Sequence, residues 1–199
     1  KPGYEAVFEG LKHYNLEYSE ILPEKQELSS EYINIEQLNL MEVQDMSGIE
    51  RPQLDFIIEG YHKAIEAVKK NITTLGFSAC SLQDNEIVGT DENYRSVWAR
   101  DGSMAITGTV SLVKDKEIYE CQKQTLETLI NHITPNGQVP SNVHIDTLRP
   151  DYSGVGGICS IDSGLWTIIA FHDFVRATKD IDFLRVHFPA LLRIMDWLS

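Results

Sequence analysis

Leu54, Ile57, Ile58, Tyr61, Ala64, Ile65, Val68 and Ile72 recur at the i, i+3, i+4, i+7 spacing of an amphipathic helix. The same period returns in Ile118, Leu126, Leu129, Ile130 and Ile133, so Lys116 to Ile133 reads as a second such helix. Between them, Asp101 to Val113 reads as a shorter apolar helix. The stretch Ile161 to Ala177 holds "LWTIIAFHDFV", apolar almost all round, as expected of a helix buried on every side. Thr178-Lys179-Asp180 breaks it, and Asp180 can cap a next short helix. Pro189 suits the first turn of another, running to Trp197 and Leu198. This succession predicts an all-α fold from residue 51 to residue 199. Residues 1–50 are acidic and weakly periodic, and "SSEYINIEQLNLMEVQDMSG" alternates in places. They read as an N-terminal lead-in with room for short strands.

An internal echo says how the helices are arranged. "NITTLGFSA" (Asn71 to Ala79) and "HITPNGQVPS" (His132 to Ser141) each close a helix with Ile-Thr and place a glycine three residues after that threonine. The offset is about 60 residues, the length of one helix pair with its loops. Repeated helical hairpins suggest a solenoid or a closed α/α toroid.

The charge narrows the function classes. Lys and Arg number 17 against 30 Asp and Glu, 17 − 30 = −13, with no basic stripe, which argues against nucleic acid and against an anionic membrane surface. A neutral polar substrate such as a sugar fits this balance. Cys80, Cys121 and Cys159 are widely spaced, without a CxxC pair, and read as small core residues rather than a metal site or disulfide framework. No apolar run reaches the ~18 residues of a spanning helix. Asn71-Ile72-Thr73 matches a glycosylation sequon by pattern. The chain starts at Lys1 without Met and stops in the apolar "LLRIMDWLS", so it reads as a trimmed product whose last domain is cut through its middle. The compartment stays open, as does homo-oligomerisation.

Long loops at one end of the inner helices of a toroid make the natural pocket. The first such loop carries Tyr94, Trp98, Arg100 and Asp101. The second, "GQVPSNVHIDTLRPDYSGVGGICSIDSGLW", carries Gln138, Asn142, His144, Asp146, Arg149, Asp151 and Tyr152 before Asp162 and Trp166. Asp162 has two readings. It is a cap or first-turn acid favoured by the helix dipole, or a carboxyl beside Trp166 whose pKa is raised by apolar surroundings so that it donates a proton near neutral pH. Asp101 is either a helix cap or, held ionised by the adjacent Arg100, an acceptor for sugar hydroxyls. Trp98 and Trp166 stack on a sugar or fill the core. His144 and Asp146 suit a solvated turn, and His172 a satisfied core position. No HExxH, P-loop or GxSxG is present, and "GVGGIC" does not follow a strand of a βαβ unit.

Three segments together carry a resemblance: "YRSVWARDGSMAITGTVSL", "GQVPSNV" and "SIDSGLWTIIAFHDFVRATKDIDFLRVHFPALLRIMDWL". The chain from about Tyr61 to Ser199 resembles the six-hairpin (α/α)6-barrel glycoside hydrolases. Neutral/alkaline invertases and amylo-α-1,6-glucosidases are the nearest, with glucoamylases, trehalases and processing α-glucosidases further off. The resemblance implies the N-terminal half of an (α/α)6 toroid and an inverting mechanism, with two carboxyl groups about 6.5–9.5 Å apart. It implies Asp162 as general acid. Arg100 and Asp101 would grip the sugar, Trp98 and Trp166 would shape its walls, and Gln138 and Asn142 would add hydrogen bonds. The family's base glutamate has no match here and is expected beyond Ser199. No cofactor or metal is implied, and the partner is an oligosaccharide substrate, cleaved at an α-glucosidic bond or, alternatively, as sucrose. A glycan-binding toroid without hydrolysis, a phosphorylase on the same barrel and a helical scaffold are the competing readings.

Overall fold

The computed structural model describes residues 50–82, 94–153 and 160–199. The expected lead-in, apart from Glu50, and Cys159 lie outside them. The first helix, α1 (Arg51–Lys69), has Pro52 in its first turn, where no N–H is needed, and the Glu50 N–H donates to Gln53 Oε1 at 3.2 Å. Leu54 is buried, and Ile65 and Val68 pack on the core. Ile57, counted above in the buried stripe, is 47% exposed. Ala64 is exposed too, and the inward line runs through buried Leu54 and half-buried Ile58, Tyr61, Ile65 and Val68.

A two-stranded hairpin follows, β1 (Ile72–Thr73) and β2 (Gly76–Phe77), then β3 (Ser96–Trp98) leading straight into α2 (Ala99–Thr109) and a 3-10 turn at Val110–Leu112. Helix α3 (Lys116–Asn131) starts at Asp115, whose carboxylate accepts from the Glu117 and Ile118 N–H groups. Strands β4 (Asn142–His144) and β5 (Pro150–Asp151) complete an antiparallel sheet in the order β3-β4-β5. Then come α4 (Asp162–Thr178) and α5 (Ile181–Leu198). The described residues are therefore mostly helical, as expected, with short strands in the connections that apolar periodicity does not signal.

Two antiparallel hairpins make the frame. In α2–α3, the Gln122 side chain, 0% exposed, donates to the Thr109 carbonyl at 2.8 Å and to Thr109 Oγ1 at 2.9 Å, joining the end of one helix to the start of the next. In α4–α5, Lys179 takes a left-handed conformation (φ 59°) at the end of α4, and Asp180 accepts from the Phe183 N–H at 2.9 Å. Helices α2 and α4 run side by side with their N-termini together. Between the layers Phe171 stacks on Phe183 at 5.1 Å, and Phe174 meets Tyr119 at 5.6 Å. Asp180 caps as expected, but α5 is one helix where two were expected. Pro189 sits inside it and forgoes one helical hydrogen bond, a cost of about 3 kcal/mol. The continuous buried line Phe183, Ala190, Leu191, Ile194 outweighs that cost.

The echo has a structural meaning. Gly76 (φ 127°) and Gly137 (φ 96°) both occupy conformations that side chains avoid. Thr73 Oγ1 donates to the Gly76 carbonyl at 2.6 Å, and the Gly137 N–H donates to the Thr134 carbonyl at 2.9 Å. Each turn seats against the next long helix but one: Gly76 against Thr125 of α3, Gly137 against Arg193 of α5. Glycines in the first turns of α2 and α4 repeat the contact, Gly102 on Thr125 and Gly164 on Ile194. Threonines of α3 hold the first hairpin in place: Thr125 Oγ1 accepts from the Phe77 N–H and Thr128 Oγ1 donates to the Leu75 carbonyl.

Helix α4 is not buried on every side. Leu165 and Ile169 are exposed along one face, and His172 lies on that face too. Its side chain is 66% exposed and its Nδ1 lies 3.1 Å from Asp173, so it is a surface residue rather than a core histidine. No helix among the described residues is long and apolar enough to cross a membrane.

Candidate functional site

The N-termini of α2 and α4 meet, and the charged residues of their first turns decide what can happen there. Strand β3 delivers Trp98 to the start of α2. Trp98 pairs in register with Asn142 of β4, and the Ala99 N–H donates to the Ser141 carbonyl at 2.9 Å. The sheet thereby anchors the first turn of α2, which carries Arg100 and Asp101.

Arg100 reaches across to Asp162, the first residue of α4. Its Nε and Nη2 both lie 2.5 Å from Asp162 Oδ2. The other carboxylate oxygen, Oδ1, accepts from the Ser160 hydroxyl at 2.5 Å. Both oxygens thus face donors, which favours the ionised form. The Ser160 hydrogen bond, aided by Arg100, holds the Asp162 carboxyl below the usual carboxylate range, against a smaller opposing effect of burial. The expectation of a carboxyl raised by apolar surroundings is therefore corrected. The motif places Asp162 near Trp166, but its immediate partners are a hydroxyl and a guanidinium.

The local readings shift as well. Trp98 occupies the N-cap position of α2, and Asp101 lies within the first turn rather than capping it. Arg100 pairs with a carboxylate 62 residues away rather than with its neighbour. Among the described residues, Asp101 and Trp166 make no hydrogen bond or ion pair through their side chains. Asp101 is exposed; Trp166 is half-buried one turn beyond Asp162.

Asn142 is buried and its side chain supports Asp151, whose carboxylate also accepts from the Ser153 hydroxyl and N–H and is held below the usual range by those bonds. Gln138 Nε2 donates to the Tyr152 carbonyl at 3.3 Å, and the Tyr152 hydroxyl donates to the His132 carbonyl at 2.6 Å. Both amides thus brace the second loop. His144 Nδ1 accepts from the Asp146 and Thr147 N–H groups, the turn role expected for it. Asp146 forms a two-point ion pair with Arg95, at 2.8 and 3.1 Å.

Sequence reading gave Ser160 and Arg95 no role. The signal for Ser160 was a hydroxyl two residues before an acid at a helix start; for Arg95 there was none within the local pattern. A cavity of ≈ 510 Å³ lies beyond the opposite end of α2, where Tyr61, Ile65 and Lys69 of α1 face Leu112 and Asp115. Compared with family models, curated proteins and solved structures, the chain matches none.

Proposed function

We propose that the chain belongs to an inverting glycoside hydrolase acting on an α-glucosidic bond of an oligosaccharide, with Asp162 as general acid. The observation that supports this most is the Arg100–Asp162 pair, with both nitrogens 2.5 Å from one oxygen. An exposed guanidinium and a carboxyl at two adjoining helix N-termini, beside Trp98 and Asp101, suit a ring of hydroxyls. A neutral sugar can take hydrogen bonds from Arg100 and give them to Asp101. Once Arg100 turns to the sugar and water leaves, Asp162 loses a cation and gains desolvation. Both changes raise its pKa toward that of a proton donor. A second carboxylate would activate water on the opposite face; none is assigned among the described residues. Cleavage of sucrose by the same groups is the nearest alternative.

One observation favours a second reading. A carboxylate held ionised by two donors is better suited to accepting hydroxyl hydrogens than to giving a proton, as in a glycan-binding toroid without hydrolysis.

Sugar release separates them. Sucrose, maltose, isomaltose, trehalose and a branched maltodextrin are offered to the full-length protein, as wild type and as Asp162→Asn. The hydrolase reading expects release by the wild type and a loss of about a thousandfold in the folded variant, about 4 kcal/mol of barrier. Equal rates in both would remove Asp162 from the chemistry. Binding without release would favour the second reading.

A further inference from the structure

The two oxygens of Asp162 are not equivalent. Oδ1 is held by Ser160, two residues away on the same chain segment. Oδ2 is held by Arg100, whose side chain is 59% exposed and whose nitrogens a sugar hydroxyl can compete for. Among the described residues, Arg100 is the charged group that faces Asp162. From α5, Ile194 and Leu198 reach the same turn of α4 at Gly164, and both are apolar.

A carboxylic acid carries its proton on one oxygen, and only a proton on the oxygen aimed at the leaving group is useful. A hydroxyl that donates to Oδ1 occupies the lone pair there and disfavours protonation at that atom. We infer that Ser160 is a positioning residue that keeps Oδ1 an acceptor and so makes Oδ2 the oxygen that takes up and delivers the proton. This inference rests on the hydrolase reading and deepens it.

In the step it serves, Oδ2 first gains a proton from solvent hydronium as Arg100 moves to the sugar, a proton the second carboxylate later returns to solvent. The Oδ2–H bond then breaks as the proton joins the glycosidic oxygen, which keeps the electron pair of its broken bond to the anomeric carbon. Water adds to that carbon and gives its proton to the second carboxylate. Asp162 is left ionised, with Ser160 still on Oδ1.

Ser160→Ala and Ser160→Thr in the full chain test this, with two readouts. On whichever sugar the wild type cleaves, Ser160→Ala is expected to lower kcat about tenfold or more with KM within about twofold, because the lost contact acts in the transition state. Ser160→Thr, which keeps the hydroxyl, restores most of the rate. Carbon-13 NMR of the Asp162 carboxyl, assigned with Asp162→Asn, is expected to titrate at higher pH in Ser160→Ala than in wild type or Ser160→Thr. An Ala variant with wild-type kcat and an unmoved titration overturns the inference, as does a Thr variant no better than Ala. Should the full-length protein cleave no sugar, a moved titration still upholds the hold of Ser160 on Asp162 while the hydrolase reading falls. An unmoved one sinks both.

Discussion

A Cβ placed on Gly137 would lie 1.9 Å from the carbonyl oxygen of Arg193. The turn after α3 and the backbone of α5 therefore touch without room for a methyl group, and the φ of 96° disfavours a side chain independently. Gly137→Ala is expected to cost about 2–4 kcal/mol of stability in urea unfolding. Gly60 in α1, exposed and with nothing within 4 Å of its would-be Cβ, is the control. Gly60→Ala is expected to stabilise by about 0.5–1 kcal/mol. The same sign for both would show that the Gly137–Arg193 contact is not as described.

Removing the Gln122 amide strands a buried helix end. Its Nε2 serves both the carbonyl and the hydroxyl of Thr109 in a site closed to solvent. Gln122→Ala combines a cavity with two lost hydrogen bonds, and a loss of about 2–4 kcal/mol is expected. Thr109→Val, which keeps the carbonyl but not the hydroxyl, should cost less. Chemical denaturation of the two variants side by side checks the order.

Stability should fall in two stages on acidification. Burial between Phe171 and Phe183 holds His187 below its usual pKa, with Glu127 opposing and Lys123 adding to the shift. A depressed histidine favours the folded state less as pH drops below its unfolded value of about 6.5. Asp162, Asp115 and Asp151 are depressed carboxylates, so their contribution is present above about pH 4 and disappears as pH falls through their lower folded values. Urea midpoints from pH 8 to pH 3 should show both stages. His187→Phe should remove the first, and Arg100→Gln should shrink the second; an unchanged profile in His187→Phe would refute the assignment.

Cys121 is 3% exposed, and burial pushes its thiol up to about 12. Iodoacetamide should modify Cys80, which is only half-buried, well before Cys121 in the native chain. Peptide mass mapping reads this directly. Early labelling of Cys121 would mean that the α2–α3 hairpin opens readily.

Apolar spacing made the helices legible because burial on one face imposes a period that composition cannot hide. Leu126, Leu129 and Ile130 are buried where the period puts them. It misplaced Ile57, since an isoleucine at the edge of a stripe carries the same signal as one at its centre. Pro189 misled for a related reason: the local rule for proline is sound, but packing of Phe183, Leu191 and Ile194 overrode it. Thr125 and Thr128 were passed over because their value lies in partners about 50 residues earlier. The candidate site was legible as residues and not as bonds. The motifs put Arg100, Asp101 and Asp162 at helix starts, but a guanidinium that skips its neighbour for an acid 62 residues on leaves no trace in either segment.

The Thr-x-x-Gly turns set the spacing of the frame at the end where the first turns of α2 and α4 also lie, Gly76 and Gly102 on Thr125, Gly137 on Arg193 and Gly164 on Ile194. Gln138 closes the second of these turns, its carbonyl accepting from the Thr134 N–H and its N–H donating to Thr134 Oγ1, so the polar loop begins on the frame itself. A side-chain exchange at an exposed position such as Asp101 can recast what this end recognises while the scaffold keeps its dimensions. The same end of the helix pairs is thus both ruler and page.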